Sequence, residues 1–256
     1  MKAEDPPMDR GIWALWYDVP QAARPEYLAW FHRVHVPEKL ARPGYLWAAH
    51  YELGHGGGRF KKVVDGLHHA GEAGLGRGGD YLALFGALTA HTFLDPSPAQ
   101  LAQRQSPETR KMMGLRQQVY SCIFAEETRV DGPDVARRGP GMTPGPVIQM
   151  GNFNAASHEI EAEIGAWYAQ HRLPFMAGMP GCIGARKLLA AAGWGKHSIL
   201  YEFVSLEQRE ARFVAHEEQV HDAKSWTARI LPQLRHAPCS PAVGRRIWPA
   251  VTAGSD

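Results

Sequence analysis

From Gly11 to Val19 the chain packs aromatic and aliphatic residues together (GIWALWYDV), the composition of a buried strand. The period then changes. Between Pro25 and His35, Tyr27, Trp30, Phe31 and Val34 recur at helical spacing and predict a helix with one apolar stripe. Pro37 and the pair Pro43–Gly44 predict that this helix breaks into a turn. Tyr45 to Leu53 and Tyr81 to Leu88 read as strands. Residues from about Pro98 to Leu115 suit a second helix interrupted near Pro107, and Val119 to Glu126 reads as the closing strand. Strand, helix, strand, strand, helix, strand is the split βαβ, or ferredoxin-like, order.

The order recurs further along. Val147 to Asn154 reads as a strand, and Ile160, Ile164, Trp167 and Tyr168 form a helix stripe. Cys182 to Leu189 and Ser198 to Val204 read as strands, Leu206 to Val220 as a helix and Ala242 to Val251 as the last strand. One offset of 137 residues carries Trp30 to Trp167, Pro37 to Pro174, Pro43 to Pro180 and Gly44 to Gly181. The segment between the halves is rich in glycine and proline, as a surface loop is. These patterns predict an α+β fold of two tandem ferredoxin-like βαββαβ repeats, residues 11–128 and 146–251, joined by a linker at 129–145. One such unit covers only one face of its sheet with helices. Two units hide the other faces by packing sheet against sheet, as an internal pseudo-dimeric α+β barrel.

Composition narrows the partners. The 28 Lys and Arg residues stand against 26 Asp and Glu, a formal charge of +2, so no strong footprint for nucleic acid is expected. No run of eighteen apolar residues exists, and MKAEDPPMDR lacks the basic-then-apolar order of a signal peptide. Cys122, Cys182 and Cys239 are widely spaced, which fits a reducing compartment. The expectation is a cytoplasmic protein whose partner is a small molecule, with no nucleic acid and no membrane. Exposed strand edges or apolar helix faces could still pair two chains as a homodimer.

The block W-[FY]-x-x-x-H-x-P, followed six residues later by Pro-Gly, resembles the dimeric α+β barrel superfamily and its EthD-like branch. Trp30, Phe31, His35, Pro37, Glu38, Pro43 and Gly44 carry the resemblance, with the strand that begins at Tyr81. The second half departs from it: His171 comes one residue early, and Arg172 falls where His35 would align. The resemblance implies a barrel fold whose members include cofactor-free monooxygenases, polyketide cyclases, lactone isomerases, dehydrochlorinases and haem enzymes. Fold alone therefore does not choose the chemistry.

Candidate chemistry starts at His35. A protonated imidazole at the end of the first helix would favour the helix dipole, which is a purely structural role. An imidazole of ordinary pKa would also serve as general acid or base near neutrality. His32 lies one turn earlier, but two His without a third ligand are not a metal site. The run from His216 to His221 spaces its histidines five apart, one too many for a zinc-protease helix. Gly74 to Gly79 matches a dinucleotide pattern but runs into a strand instead of a helix. The insertion from Gly54 to Gly79 reads as a mobile glycine-rich loop, with a lid as the alternative.

The barrel interior is the expected pocket. Strand alternation is expected to put Trp16, Trp47, Tyr81 and Phe85 on one set of faces, joined by Arg186, His197 and Tyr201 from the second half. The plainer reading makes these aromatics core packing, although Arg186 and His197 would be costly in a dry core without partners. Tyr17, Tyr81, Arg186 and Tyr201 could orient or polarise a carbonyl or phenol oxygen. The leading expectation is a small-molecule enzyme without an organic cofactor. It would perform lyase, isomerase or cyclase proton transfer on an aromatic or apolar compound, with His35 as acid or base. The alternatives are a non-catalytic ligand-binding or stress-associated barrel and, third, a haem-dependent oxidoreductase.

Overall fold

The computed structural model describes residues 9–56, 66–219 and 225–251. Its strands are β1 (Gly11–Asp18), β2 (Tyr45–Leu53), β3 (His68–His69), β4 (Tyr81–Ala87) and β5 (Gln117–Asp131). In the second half they are β6 (Val147–Ala155), β7 (Cys182–Ala192), β8 (His197–Phe203), β9 (Leu234–His236) and β10 (Ala242–Trp248). Eight of them close a barrel in the order β10–β2–β4–β1–β5–β7–β8–β6, with β6 pairing back to β10. Every pair around the ring is antiparallel. Closure leaves the barrel no free edge, so its backbone groups are paired all the way round. The short strands β9 and β3 extend the sheet beyond the end of β6. No helix among the described residues is long and apolar enough to cross a membrane.

The first helical segment differs from its prediction. It does not break at Pro37. α1 (Arg24–Trp30) passes through a π-helical turn (Phe31–His35) into α2 (Val36–Leu40). The Val36 N–H reaches back five residues to the Phe31 carbonyl. That wider turn admits Pro37, whose ring would otherwise press on the preceding turn and whose missing N–H would interrupt the ladder. The second half uses the same device: α3 (Glu161–Trp167), a π-helical turn (Tyr168–Arg172) and α4 (Leu173–Gly178), with Pro174 just inside. Gly44 and Gly181 then turn the chain with φ of +83° and +86°, a region glycine enters without a Cβ penalty. Two short helices, α5 (Pro98–Gln103) and α6 (Pro107–Met113), follow β4, with the interruption expected near Pro107. β5 runs on to Asp131, so the first residues expected in the linker pair with β7 instead.

Three cores result. Ile12, Ala14, Trp16, Trp47, Ala49, Tyr51, Leu84, Phe124, Met150 and Leu200 fill the barrel interior. A second core lies between the first-half helices and the outer face of their strands, and a third does the same in the second half. The expected common face for four aromatics is therefore corrected. Trp16 and Trp47 point inward, whereas Tyr81 and Phe85 point outward to the helices. Register shows why: Trp16 lies opposite Leu82 and Tyr17 opposite Tyr81, so consecutive residues alternate between interior and exterior. The barrel interior is a packed core, not the expected pocket, and the cavities described below lie outside it.

Trp47 sits opposite Gly86, and a Cβ at residue 86 would fall inside the Trp47 indole. Gly86→Ala is expected to destabilise the barrel by about 1–3 kcal/mol through overpacking. A urea titration checks it, and a midpoint unchanged from wild type would show that Trp47 can move aside. In the glycine-rich insertion, residues 57–65 lie outside the described residues. The part from 66 onward is anchored: His68–His69 pairs with β9, and the Gly78 N–H donates to the Gln118 carbonyl at 2.9 Å.

Candidate functional site

The π-helical turn and α2 set His35 and Lys39 one turn apart on one face, and Arg42 follows in the turn just beyond α2. Opposite them stand the end of α5 and the start of α6. Between the two is a cavity of about 260 Å³ lined by His35, Glu38, Lys39, Arg42, Leu101, Arg104, Gln105, Ser106 and Thr109. A second cavity of about 420 Å³ shares Arg42, Leu101 and Arg104 with it and adds Pro43, Tyr45, Thr92, Asp95 and Pro96.

His35 is 4% exposed, and its ring lies 5.0 Å from Trp30 and 5.4 Å from Phe31. Its Nδ1 is buried without a hydrogen-bond partner. Burial, and then the positive charges of Arg116, Lys39 and Arg42, push its pKa down to about 2. The capping reading of His35 is corrected by the structure. The helix continues past it, so it does not cap a C-terminus, and its imidazole is neutral near pH 7. Lys39 is also buried, with Nζ 4.8 Å from the Trp13 ring centre. Burial, then Arg42 and Arg116, lower its pKa to about 8.

Beside this cavity runs a hydrogen-bonded chain. The Tyr17 hydroxyl meets His50 Nε2 at 2.9 Å, and His50 Nδ1 meets His32 Nε2 at 2.8 Å. One consistent set of tautomers has Tyr17 donating to His50 and His50 donating to His32. Arg116 lies 4.5 Å over the Tyr17 ring and donates to the Tyr27 hydroxyl at 2.6 Å. Burial keeps His50 and His32 neutral, His32 at about 4. His50 was not among the expected site residues. Its signal is the lone histidine in the strand sequence of β2, YLWAAHYEL. Tyr17→Phe removes the hydroxyl that meets His50 Nε2 and is expected to cost about 1–3 kcal/mol, read from the urea midpoint. A loss below 0.5 kcal/mol would mean that His50 finds another partner, since a lone lost neutral hydrogen bond seldom costs less than about that.

The second half is built differently. Arg172 stands where His35 aligns and forms a two-pronged pair with Glu217 at 2.5 and 3.0 Å. Tyr201 faces this pair among Phe153, Trp167, Tyr168, Ile199 and Phe213, around a cavity of only about 60 Å³. His197 bonds to Lys187 Nζ at 3.0 Å and Glu161 Oε2 at 2.7 Å. Arg186 lies at one end of the barrel interior, held by Asp9 at 2.6 Å and Glu202 at 3.3 Å. Arg186 and His197 thus have the partners a dry core demands. The fold does not gather the expected residues. Tyr17, His35, Tyr81 and Phe85 belong to the first-half core or its edge, Trp16 and Trp47 to the barrel interior, and Tyr201 and His197 to the second-half face. Among the described residues no three His, Cys, Asp or Glu side chains cluster as a metal site.

No family model matches the chain, and no curated protein matches it in sequence. Its fold does match solved structures. A candidate monooxygenase from Fusobacterium nucleatum superposes with a TM-score of 0.53 over 93% of both chains at 9% identity. A candidate chlorite dismutase superposes with a TM-score of 0.53 at 12% identity, over 94% of this chain and 96% of that one. An anthrone oxidase-like protein also reaches 0.53 at 9% identity, over 94% and 92%. The expectation of a chain without a cofactor is corrected by these matches: chlorite dismutases are haem proteins, so the fold gives no ground for a cofactor-free reading. A haem would need an imidazole beside a roomy pocket, and the second-half cavity has the imidazole. His236 there has both ring nitrogens buried without partners, and burial followed by His69 and His68 lowers its pKa to about 3. Yet about 60 Å³ beside the Arg172–Glu217 pair is far below the several hundred Å³ a cofactor pocket needs, so these residues do not fit a macrocycle. What the chain shares with its structural neighbours is the fold, a closed antiparallel eight-stranded barrel flanked by helices.

Proposed function

We propose that the protein is a small-molecule enzyme whose reaction centre is the His35 cavity, and that its chemistry is proton transfer of the lyase, isomerase or cyclase kind. The observation that carries this reading is the buried Nδ1 of a neutral His35, unpartnered at a cavity lined also by Lys39, Arg42 and Arg104. A neutral imidazole accepts a proton from a substrate C–H or O–H and leaves the electron pair on the substrate. Cations around the cavity stabilise the negative charge that develops there, and the imidazolium then returns the proton at a second position. Negative charge beside His35 opposes the field of Arg116, Lys39 and Arg42, so the base strengthens as the reaction proceeds.

The residues that resemble the EthD-like branch, Trp30 to Gly44, are those that build this cavity's floor, which supports placing the chemistry in the first half. The two π-helical turns and the two positive-φ glycines keep the 137-residue offset, which supports reading the halves as tandem copies of one ferredoxin-like unit. At the position that aligns with His35 the second copy has no base, because Arg172 stands there and pairs with Glu217.

Deuterium exchange tests the reading. A panel of small aromatic ketones and acids with acidic C–H bonds, incubated in D2O with the protein and followed by proton NMR, is expected to include one that exchanges faster than in buffer. His35→Gln should return that exchange to the buffer rate. Exchange undiminished in His35→Gln would remove His35 from the chemistry. Binding without exchange across the panel would favour the non-catalytic ligand-binding barrel.

A further inference from the structure

Among the described residues, buried cations elsewhere meet carboxylates or, as Arg246 does, backbone carbonyls. Arg186 reaches Asp9 at 2.6 Å, Arg172 reaches Glu217 at 2.5 Å and Lys187 reaches Glu127 at 3.2 Å. Lys39 is the exception. It is 7% exposed, yet among the described residues its side chain has no ion pair and no hydrogen bond, only the face of Trp13. Taking an ammonium largely out of water with only the exposed Glu38 near it has a cost, and burial is the first cause that lowers the Lys39 pKa. Arg42, on the same wall, and Arg104, on the facing one, are likewise without side-chain ion pairs among the described residues. Against three cations the cavity offers one carboxylate, Glu38, which is solvent-exposed. The remaining lining groups, Gln105, Ser106 and Thr109, are neutral.

We infer that the His35 cavity binds the anionic head of a small organic acid, a carboxylate or a phosphate monoester, whose apolar body lies in the adjoining cavity against Pro43, Tyr45 and Pro96. This rests on the reading of the His35 cavity as a ligand site and gives its ligand a chemical class. The anion takes the place of the carboxylate that Lys39 lacks. His35, in the same lining, then lies beside a ligand whose charge favours its protonation. The shared residues Arg42, Leu101 and Arg104 make the two cavities one elongated site, polar at one end and mostly apolar at the other. That shape suits an acid with a ring or short chain attached.

The test uses the full chain and three probes of similar shape: benzoate, phenyl phosphate and the neutral benzamide. Calorimetric titration at low salt is expected to find at least one of the anions bound about tenfold or more tightly than benzamide, with the difference shrinking as salt is added. Benzoate alone would identify a carboxylic acid as the ligand class, and phenyl phosphate alone a phosphate ester. Lys39→Met is expected to weaken the preferred anion about tenfold while the protein stays folded by circular dichroism. Arg104→Gln, at an exposed position, gives the same direction of change should Lys39→Met fail to fold. Benzamide binding as tightly as both anions, no anion binding, or affinity untouched by the folded variants would overturn the inference. Anion binding without proton exchange would overturn only the catalytic reading, and exchange confined to neutral substrates would overturn only this one.

Discussion

Glu202→Ala is expected to lower stability by about 3–5 kcal/mol, the range for breaking a buried ion pair by removing one partner. Glu202 is fully buried and accepts from Arg186 Nε at 3.3 Å, Arg138 Nε at 3.1 Å and the Gly145 N–H at 2.9 Å. Its loss leaves three donors short of an acceptor, two of them, Arg186 Nε and the Gly145 N–H, in buried bonds. Asp9 cannot compensate, because its two oxygens are already taken by Arg186, Arg129 and the Trp47 indole N–H. Replacing the pair together, Arg186→Met with Glu202→Leu, is expected to recover a good part of that loss, since an apolar pair of similar volume has no charge to desolvate. Urea unfolding of the three variants checks the order. A loss below about 1 kcal/mol in Glu202→Ala would mean that solvent enters this end of the barrel. The same network sets the acid limit. Burial alone would raise the Asp9 carboxyl, but Arg186 and Arg129 outweigh it and hold it below its usual 3.8. A depressed folded-state pKa contributes stability that is present above 3.8 and is lost only as pH falls through the lower value. This contribution should therefore persist at pH 4 and disappear only in stronger acid.

Lys39→Met has the opposite sign. Wild-type Lys39 falls from 10.5 in the unfolded chain to about 8 in the fold, through burial first and then the neighbouring Arg42 and Arg116. Below pH 8 the folded state carries the full penalty of a buried ammonium. Between pH 8 and 10.5 the unfolded chain binds more protons than the folded one, so stability rises with pH across that window. Two and a half pKa units correspond to about 3 kcal/mol, an upper bound on what Lys39→Met recovers at pH 7. The stability difference between variant and wild type should shrink as pH rises from 8 towards 10.5, where Lys39 is neutral in the wild type as well. A variant less stable than wild type at pH 7 would mean that Trp13 and the cavity solvate the ammonium adequately. Together with weakened anion binding, greater stability would mark Lys39 as a residue kept for its ligand at the expense of the fold.

Element order was legible because it rests on local signals. The aromatic run at Gly11, the stripe from Tyr27 to Val34 and the turn at Pro43–Gly44 each announce an element within a few residues, and the strands fall where those signals stand. The continuation of the helix through Pro37 was not legible, since a π-helical turn leaves no mark in composition. Nor could alternation say which residues face the barrel. Both faces of β1 and β4 are buried, one by the interior and one by helices, so neither face carries the polar residues that would label it. Trp16 and Phe85 were therefore grouped although they stand on opposite sides of the sheet. The candidate site was half legible: the block around His35 stood out, but its state did not, because Arg116 lies 81 positions away along the chain.

By itself, then, the sequence determined the order of strands and helices and the 137-residue register between the halves, because periodicity and turn chemistry act over a few residues. The tertiary structure alone decided which charges found partners. Asp9 reaches Arg186 across 177 positions and Glu217 reaches Arg172 across 45, pairings made by barrel closure and helix docking. Lys39 was left without one, and an unpaired buried charge is a property of the packed surroundings, invisible in the residue that carries it.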